Sequence, residues 1–133
     1  MTTVNRFEDL VAWQKARVLA GDIYAITQVG RFGRDFGLSG QIQRAASSIM
    51  FNLAEGFERG SRAEFHQFLS IAKGSCAEVR SQLYLALDIG YIDQLQFEEL
   101  QARANEVARL VAGLRTAVQR QRDDQRAKGA RHD

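Results

Sequence analysis

A chain of 133 residues with 45% hydrophobic content is long enough to bury one hydrophobic core and too short for two. Proline is absent and the helix-favouring residues Ala, Leu, Gln, Glu and Arg dominate, so the sequence predicts a single all-α domain. One cysteine excludes an internal disulfide, and we find neither a long apolar run nor a signal peptide. We therefore expect a soluble cytoplasmic protein with no membrane partner.

The formal charge of +2 is unevenly distributed along the chain. Residues 1–100 carry 10 Lys or Arg against 12 Asp or Glu, a net charge of −2. Residues 101–133 carry 8 against 4, a net charge of +4. The positive excess is modest and lies at the C-terminal end.

Four stretches have the apolar spacing of amphipathic helices, at about residues 8–29, 40–56, 62–89 and 94–120. Asn5 is a candidate cap for the first helix. The four glycines of residues 30–40 predict that this helix stops there, before Ser39 caps the second.

The later boundaries follow from turn and capping residues. Gly56 and Gly60 bracket the turn after the second helix, and Ser61 to Glu64 has the form of a capping box that starts the third. Gly90 is placed to end the third helix, and Asp93 to cap the fourth.

Residues 121–133 have no apolar period, so we expect a folded domain at 1–120 followed by a basic, disordered tail.

Short turns force consecutive helices to lie antiparallel, which predicts a register. Folding about the turn near Gly60 sets Ile49 opposite Phe68, and folding about the turn near Gly90 sets Leu83 opposite Leu100. The predicted fold class is all-α, an up-down-up-down antiparallel four-helix bundle.

Two helices carry apolar or small residues away from their core faces. Phe51 lies among short hydroxyl side chains on the second helix, which is typical of a surface that becomes covered. A glycine inside a helix, such as Gly74, costs about 1 kcal/mol relative to Ala unless another backbone approaches it. The candidate oligomer interface comprises Phe51, Ile71, Gly74 and Leu85. The alternative is that these are scattered exposed residues, which single proteins tolerate.

No group of residues in the sequence indicates catalysis or metal binding. Neither His66 nor His132 follows a Glu by three residues, so the paired ligands of di-iron bundles are absent. Cys76 lies on the apolar face of its helix. At such a position we expect it to be a small buried apolar side chain rather than a nucleophile. We therefore expect a protein that is not an enzyme and has no cofactor and no metal.

Arginines are the candidate nucleic-acid-binding residues. Arg59 and Arg62 flank the N-terminus of the third helix, where free N–H groups and the helix dipole attract anions. The up-down topology brings the basic tail to the same end of the bundle. The candidates are Arg59, Arg62, Arg120, Arg122 and Arg126. The alternative for the first two is an ordinary surface cluster of ion pairs with the neighbouring glutamates.

Four segments carry a family resemblance: DLVAWQKA (9–16), GLSGQIQRAASSIMFNLAEGFERGS (37–61), EFHQFLSIAKGSCAEV (64–79) and ALDIGYI (86–92). Together they resemble the four-helix-bundle family named after proteins encoded in intervening sequences of 23S ribosomal RNA genes. The resemblance spans roughly residues 7–118. That family commonly has a proline in the loop between the first two helices, and Val29 to Phe36 has none.

Members of this family are similar to the accessory proteins of diversity-generating retroelements. The resemblance implies a ring-shaped homopentamer that binds nucleic acid, and it implies no reaction. We therefore expect a non-enzymatic oligomeric module that binds structured RNA, or a nucleic-acid-bound protein, in association with ribosomal RNA intervening sequences. The alternative is a structural or protein-interaction scaffold ring with no direct nucleic-acid contact.

Overall fold

The computed structural model describes residues 4–132, so residues 1–3 and 133 of the predicted domain and tail lie outside it. Within this range the chain is helical and contains no strand. A 3-10 helix at Phe7–Asp9 precedes five α-helices: α1 Val11–Thr27, α2 Gly30–Arg34, α3 Phe36–Glu58, α4 Arg62–Ile89 and α5 Gln94–His132.

The first helix begins later than predicted, and Asn5 does not cap it. The 3-10 turn takes up the start of the predicted helix, and α1 follows Leu10, whose extended backbone provides no side-chain cap. The Gln14 side chain instead donates to the carbonyl of Glu8 at 2.9 Å, which ties α1 to the preceding turn.

The second predicted helix begins earlier than expected, and its cap is Asp35 rather than Ser39. The Asp35 carboxylate accepts a hydrogen bond from the Leu38 N–H at 3.1 Å, so α3 begins at Phe36. Ser39 is buried inside this helix. The non-helical break predicted at residues 30–40 is therefore shorter, and it contains the short helix α2. The Asp35 cap stabilises the start of α3 enough to offset the weak helix preference of the glycines that follow it.

The prediction that Gly56 ends the helix was wrong. Gly56 is buried within α3, and a Cβ at this position would lie 2.6 Å from the Cβ of Phe68 on α4. The glycine therefore permits close packing of two helices. The turn itself lies further along, at residues 59–61, where Gly60 has a φ of 85°.

This later turn shifts the register between α3 and α4. Phe68 lies against Gly56, so the predicted pairing of Phe68 with Ile49 is incorrect. The observed pairing is marked by a 2.9 Å hydrogen bond between the hydroxyls of Ser48 and Ser75.

The predicted capping residues of α4 and α5 are confirmed. The Ser61 hydroxyl accepts from the Glu64 N–H at 3.1 Å, and the Asp93 carboxylate accepts from the Gln96 N–H at 2.8 Å. Gly90 ends α4 with a φ of 86°.

The predicted α4–α5 register is confirmed as well. Gln101 donates to the carbonyl of Arg80 at 2.7 Å, and Arg115 donates to the hydroxyl of Ser70 at 2.9 Å.

The four long helices share one core. α1 packs against α3 and α5, and α4 also packs against α3 and α5, which is consistent with the predicted bundle. The largest fully buried side chains come from all four helices: Leu19, Ile23, Ile42, Ile49, Leu53, Leu69, Leu83, Val79, Val107 and Val111, together with Phe32 of α2. Among the described helices, none combines the length and the apolarity needed to cross a membrane.

The segment after residue 120 differs from the sequence prediction, because α5 continues as a helix to His132. Extending an existing helix avoids the cost of nucleation, so an apolar stripe is unnecessary for residues that favour helix. The Gln119 amide also donates to Asp123 one turn later, at 2.9 Å.

A small polar and aromatic cluster joins the α2–α3 corner to the end of α4. The Tyr91 hydroxyl donates to Asp35 at 2.8 Å, and the Tyr91 ring stacks on Phe32 with centroids 5.1 Å apart. The N–H of Leu38 and then the Tyr91 hydroxyl lower the pKa of Asp35. The ionised carboxylate is therefore the form that the fold stabilises.

We predict that Gly56→Ala lowers the free energy of unfolding by about 1–3 kcal/mol, because the added methyl group would overlap the Cβ of Phe68. Gly21→Ala is the matched control, since this exposed glycine in α1 has no heavy atom within 4 Å of an added Cβ. We expect the control to raise stability by roughly 0.5–1 kcal/mol. Urea denaturation followed by circular dichroism measures both; equal effects would contradict the role assigned to Gly56.

We predict that Asp35→Asn makes stability less dependent on acid pH. A carboxyl group with a lowered folded-state pKa contributes stability above its unfolded value, 3.8, and loses it as the pH falls through the lower folded value. Urea unfolding at about pH 6 and about pH 3 should therefore show a smaller loss in the variant than in the wild type. Asp88→Asn, an exposed acid on α4, should retain the wild-type dependence.

Candidate nucleic-acid interface

The start of α4 is fixed against the second half of α5. Ser61 caps α4, and Arg62, its first residue, donates through Nε to the Gln121 side chain at 3.2 Å. This contact brings the α4 N-terminus beside the extended part of α5. The helical continuation beyond residue 120 therefore helps to build the site.

A groove of about 410 Å³ lies between these two segments. Its lining residues are Ser61, Arg62, Ala63, Arg122, Gln125 and Arg126, and we call it the arginine groove. The first N–H groups of a helix have no acceptor within the helix, and the dipole adds partial positive charge there. Three guanidinium groups and a helix N-terminus thus surround one open volume.

This arrangement has the chemistry of a phosphate site. Guanidinium groups bind phosphate oxygens in a bidentate manner, and helix N-termini bind the same anions through backbone amides. Two nearby acids have other partners, since Glu64 lies 3.6 Å from Arg59 and Asp123 accepts from Gln119. The charge of Glu64 is therefore shared with Arg59, whereas the hydrogen bond from the neutral Gln119 amide leaves the charge of Asp123 in place beside the groove.

Arg59 is not part of the arginine groove. Its guanidinium contacts Glu55 at 2.9 Å and Glu64 at 3.6 Å, and it lies over the ring of Phe68 at 5.2 Å. For this residue the structure supports the alternative of a surface ion-pair cluster. Charge pairing and stacking leave Arg59 less available to an anion.

Arg120 also lies outside the groove, although it is exposed on α5. Two residues of helix correspond to a rotation of about 200°, so Arg120 and Arg122 point to different sides of α5. Of the five predicted arginines, the structure brings together Arg62, Arg122 and Arg126.

One further basic residue, Arg115, lies seven residues before Arg122 and therefore on the same face of α5. Arg115 donates to the Ser70 hydroxyl at 2.9 Å, and Ser70 in turn donates to the carbonyl of His66 at 3.0 Å. Burial, followed by the positive charges of Arg115 and Arg122, lowers the pKa of His66. From the sequence, His66 was considered only as a candidate metal ligand. The predicted register of α4 against α5 was the signal that could have placed it beside these arginines.

The residues proposed for an oligomer interface lie on the surface of the single chain. Phe51 is 62% exposed, and Ile71 and Leu85 are about half exposed. Gly74 has no heavy atom within 4 Å of an added Cβ, so nothing in the described part of the chain explains this glycine. Each residue is therefore available to a second molecule.

Cys76 is buried in the core, as its position on the helix predicted. Burial raises the pKa of its thiol to about 11, which disfavours the reactive thiolate. Among the side chains that the structure describes, no three His, Cys, Asp or Glu residues converge in a way that could hold a metal ion.

The fold and this groove together define an all-α protein of four long packed helices with a basic site at one end. The chain belongs to the family of 23S rRNA-intervening sequence proteins, whose model matches residues 8–113. This finding confirms the family resemblance seen in the sequence.

A solved structure supports the same assignment. A protein of unknown function from the S23 ribosomal protein family, from Bacteroides thetaiotaomicron, is 27% identical, with a TM-score of 0.74. The similarity covers 80% of this chain and 96% of that chain. No curated protein matches this chain significantly.

We predict that Cys76 of the folded protein reacts with a thiol reagent at about pH 7.5 at least 100-fold more slowly than in urea, because its thiol is buried and protonated. Thr116→Cys, at an exposed position on α5, provides a reactive control within the same fold. Rapid labelling of native Cys76 would contradict its assignment as an inert core residue.

Proposed function

We propose that this protein is a non-enzymatic, homo-oligomeric RNA-binding module associated with ribosomal RNA intervening sequences. In this proposal its four long helices form an up-down-up-down antiparallel bundle, and it assembles in the cytoplasm as a closed ring of five. The arginine groove contacts the phosphate backbone of structured RNA, bound alone or together with a protein. The convergence of Arg62, Arg122 and Arg126 on the α4 N-terminus is the observation that carries the proposal.

The groove favours recognition of the backbone over recognition of bases. Its lining includes no aromatic side chain on which a base could stack, whereas guanidinium groups and amides suit phosphate oxygens. Arg115, on the same face of α5 as Arg122 and Arg126, continues the basic surface along this helix. Eleven residues of helix separate Arg115 from Arg126, about 16 Å, which is enough for successive phosphates of one strand.

Assembly supplies the affinity that one copy lacks. With a formal charge of only +2, a single chain would be a weak nucleic-acid binder. A ring repeats the arginine groove once per subunit, and contacts to one RNA molecule then reinforce each other through a high effective concentration. The proposed function and the proposed oligomer therefore depend on each other.

A protein-interaction scaffold without nucleic-acid contact is the second candidate. The exposed apolar side chains of Phe51, Ile71 and Leu85 favour it, because such surfaces suit protein partners. In that case the arginines would serve solubility. Nuclease treatment before affinity capture distinguishes the two candidates, since a protein partner is retained and RNA is lost.

We predict that the double variant Arg62→Ala, Arg126→Ala raises the Kd for a folded RNA hairpin about tenfold at low salt and reduces the slope of log K against log salt by about two. Fluorescence anisotropy across a salt series measures both quantities. The matched control is Arg34→Ala, Arg120→Ala, which removes the same charge from exposed positions outside the groove.

Equal weakening by the two double variants would show that net charge governs binding, rather than the groove. Absence of RNA binding by the wild type, together with a protein partner that survives nuclease treatment, would favour the scaffold.

A further inference from the structure

A polar pocket of about 570 Å³ lies between α3 and α4. Its polar lining residues are Gln41, Arg44, Ser48, Ser75, Glu78 and Gln82. The pocket shares no residue with the arginine groove. The proposed RNA contact therefore makes no use of these side chains.

The register of α3 against α4 sets which lining residues face each other. The hydroxyls of Ser48 and Ser75 are hydrogen-bonded at 2.9 Å, which marks one level of the antiparallel pair. Arg44 lies four residues before Ser48 on α3, and Glu78 lies three residues after Ser75 on α4. Arg44 and Glu78 therefore lie at nearly the same height along the helices, one on each wall of the pocket.

These two opposite charges are not paired. Both residues are exposed, and neither forms an ion pair among the side chains that the structure describes. The Arg44 guanidinium lies over Gly40, since a Cβ added there would be 3.0 Å from Nη1 of Arg44. The glycine thus leaves room for the guanidinium beside the pocket. A cation and an anion on facing walls suit a ligand that carries both charges.

A buried acceptor without a partner belongs to the same pocket. Within residues 4–132, Gln82 Oε1 is the one buried side-chain nitrogen or oxygen atom that has no hydrogen-bond partner. Such an atom carries a desolvation cost that a suitable donor would remove. Gln82 lies one turn beyond Glu78 on α4, and its side chain is only partly buried. Rotation of the amide can therefore direct Oε1 towards a donor bound at Glu78.

We propose that this pocket binds a free α-amino acid as its zwitterion. The carboxylate of the ligand accepts hydrogen bonds from the Arg44 guanidinium, and its ammonium donates to the Glu78 carboxylate and to Gln82 Oε1. From Gln82 to Ile71 the pocket follows α4 for about 16 Å, so space remains for the side chain of the ligand. Ile71 offers an apolar contact to that side chain. This site goes beyond the proposed function, because it involves neither RNA nor the arginine groove.

Three forms of one amino acid test the two charge contacts separately. L-Leucine carries both charges, N-acetyl-L-leucine lacks the ammonium, and L-leucinamide lacks the carboxylate. At about pH 6.5 the free amines are protonated. We expect the full chain to bind L-leucine about tenfold more tightly than either blocked form, because each blocked form loses one charge-assisted contact. Ligand-observed saturation-transfer NMR over a concentration series measures each Kd.

Substitutions in the pocket should each remove one of these preferences. In Arg44→Gln, L-leucine and L-leucinamide should bind equally, since the carboxylate has lost its partner. In Glu78→Gln, L-leucine and N-acetyl-L-leucine should bind equally, since the ammonium has lost its partner. The matched control is Arg80→Gln, which removes one positive charge from an exposed position of α4 outside the pocket and should keep both preferences. Circular dichroism verifies that every variant keeps its helical content.

Each result either supports or overturns the site. Loss of one preference in each pocket variant, with both kept in Arg80→Gln, supports it. Absence of saturable L-leucine binding at about 10 mM, or equal Kd values for the three forms, would overturn it. Equal weakening by Arg80→Gln and Arg44→Gln would overturn it as well, because net charge would then govern binding. A failure of RNA binding would leave the inference intact, since the arginine groove uses other residues.

Discussion

The close contact of α3 with α4 at Gly56 is the constraint on which the remaining geometry depends. Because position 56 has no Cβ, Phe68 can pack directly on the α3 backbone, and α3 continues to Glu58 before the chain turns. This packing sets which residues of α3 and α4 face each other. It also fixes where α4 begins, and therefore where Arg62 is presented to α5.

The basic site is a consequence of two helix termini that lie at the same end of the molecule. α4 contributes its N-terminus with Arg62, and α5 extends past the core to contribute Arg122 and Arg126. The extension has little apolar surface to bury. Its contribution is to place the positive charges of Arg122 and Arg126 beside the start of α4. Arg59 is close in sequence but contacts acids and an aromatic ring, which shows how local pairing changes the availability of a charge.

The different sides of the molecule have different chemistry. The α4–α5 side is basic, the α3–α4 side presents apolar side chains beside a partly buried pair of serine hydroxyls, and the α1–α5 side contains an apolar groove. At Gly74 and Gly113 an added Cβ would meet no heavy atom within 4 Å, so packing within the described chain does not require glycine at either position.

The sequence by itself determined the helical class, the caps at Ser61, Gly90 and Asp93, and the family, because each depends on local periodicity, local hydrogen bonds or a sequence pattern. Tertiary structure alone decided the role of Gly56, since a glycine that stops a helix and one that admits a neighbouring ring look identical in sequence. It also decided which arginines meet. Whether a guanidinium faces a carboxylate or an open groove depends on the rotation of one helix against another, and that rotation is set by packing across the whole core.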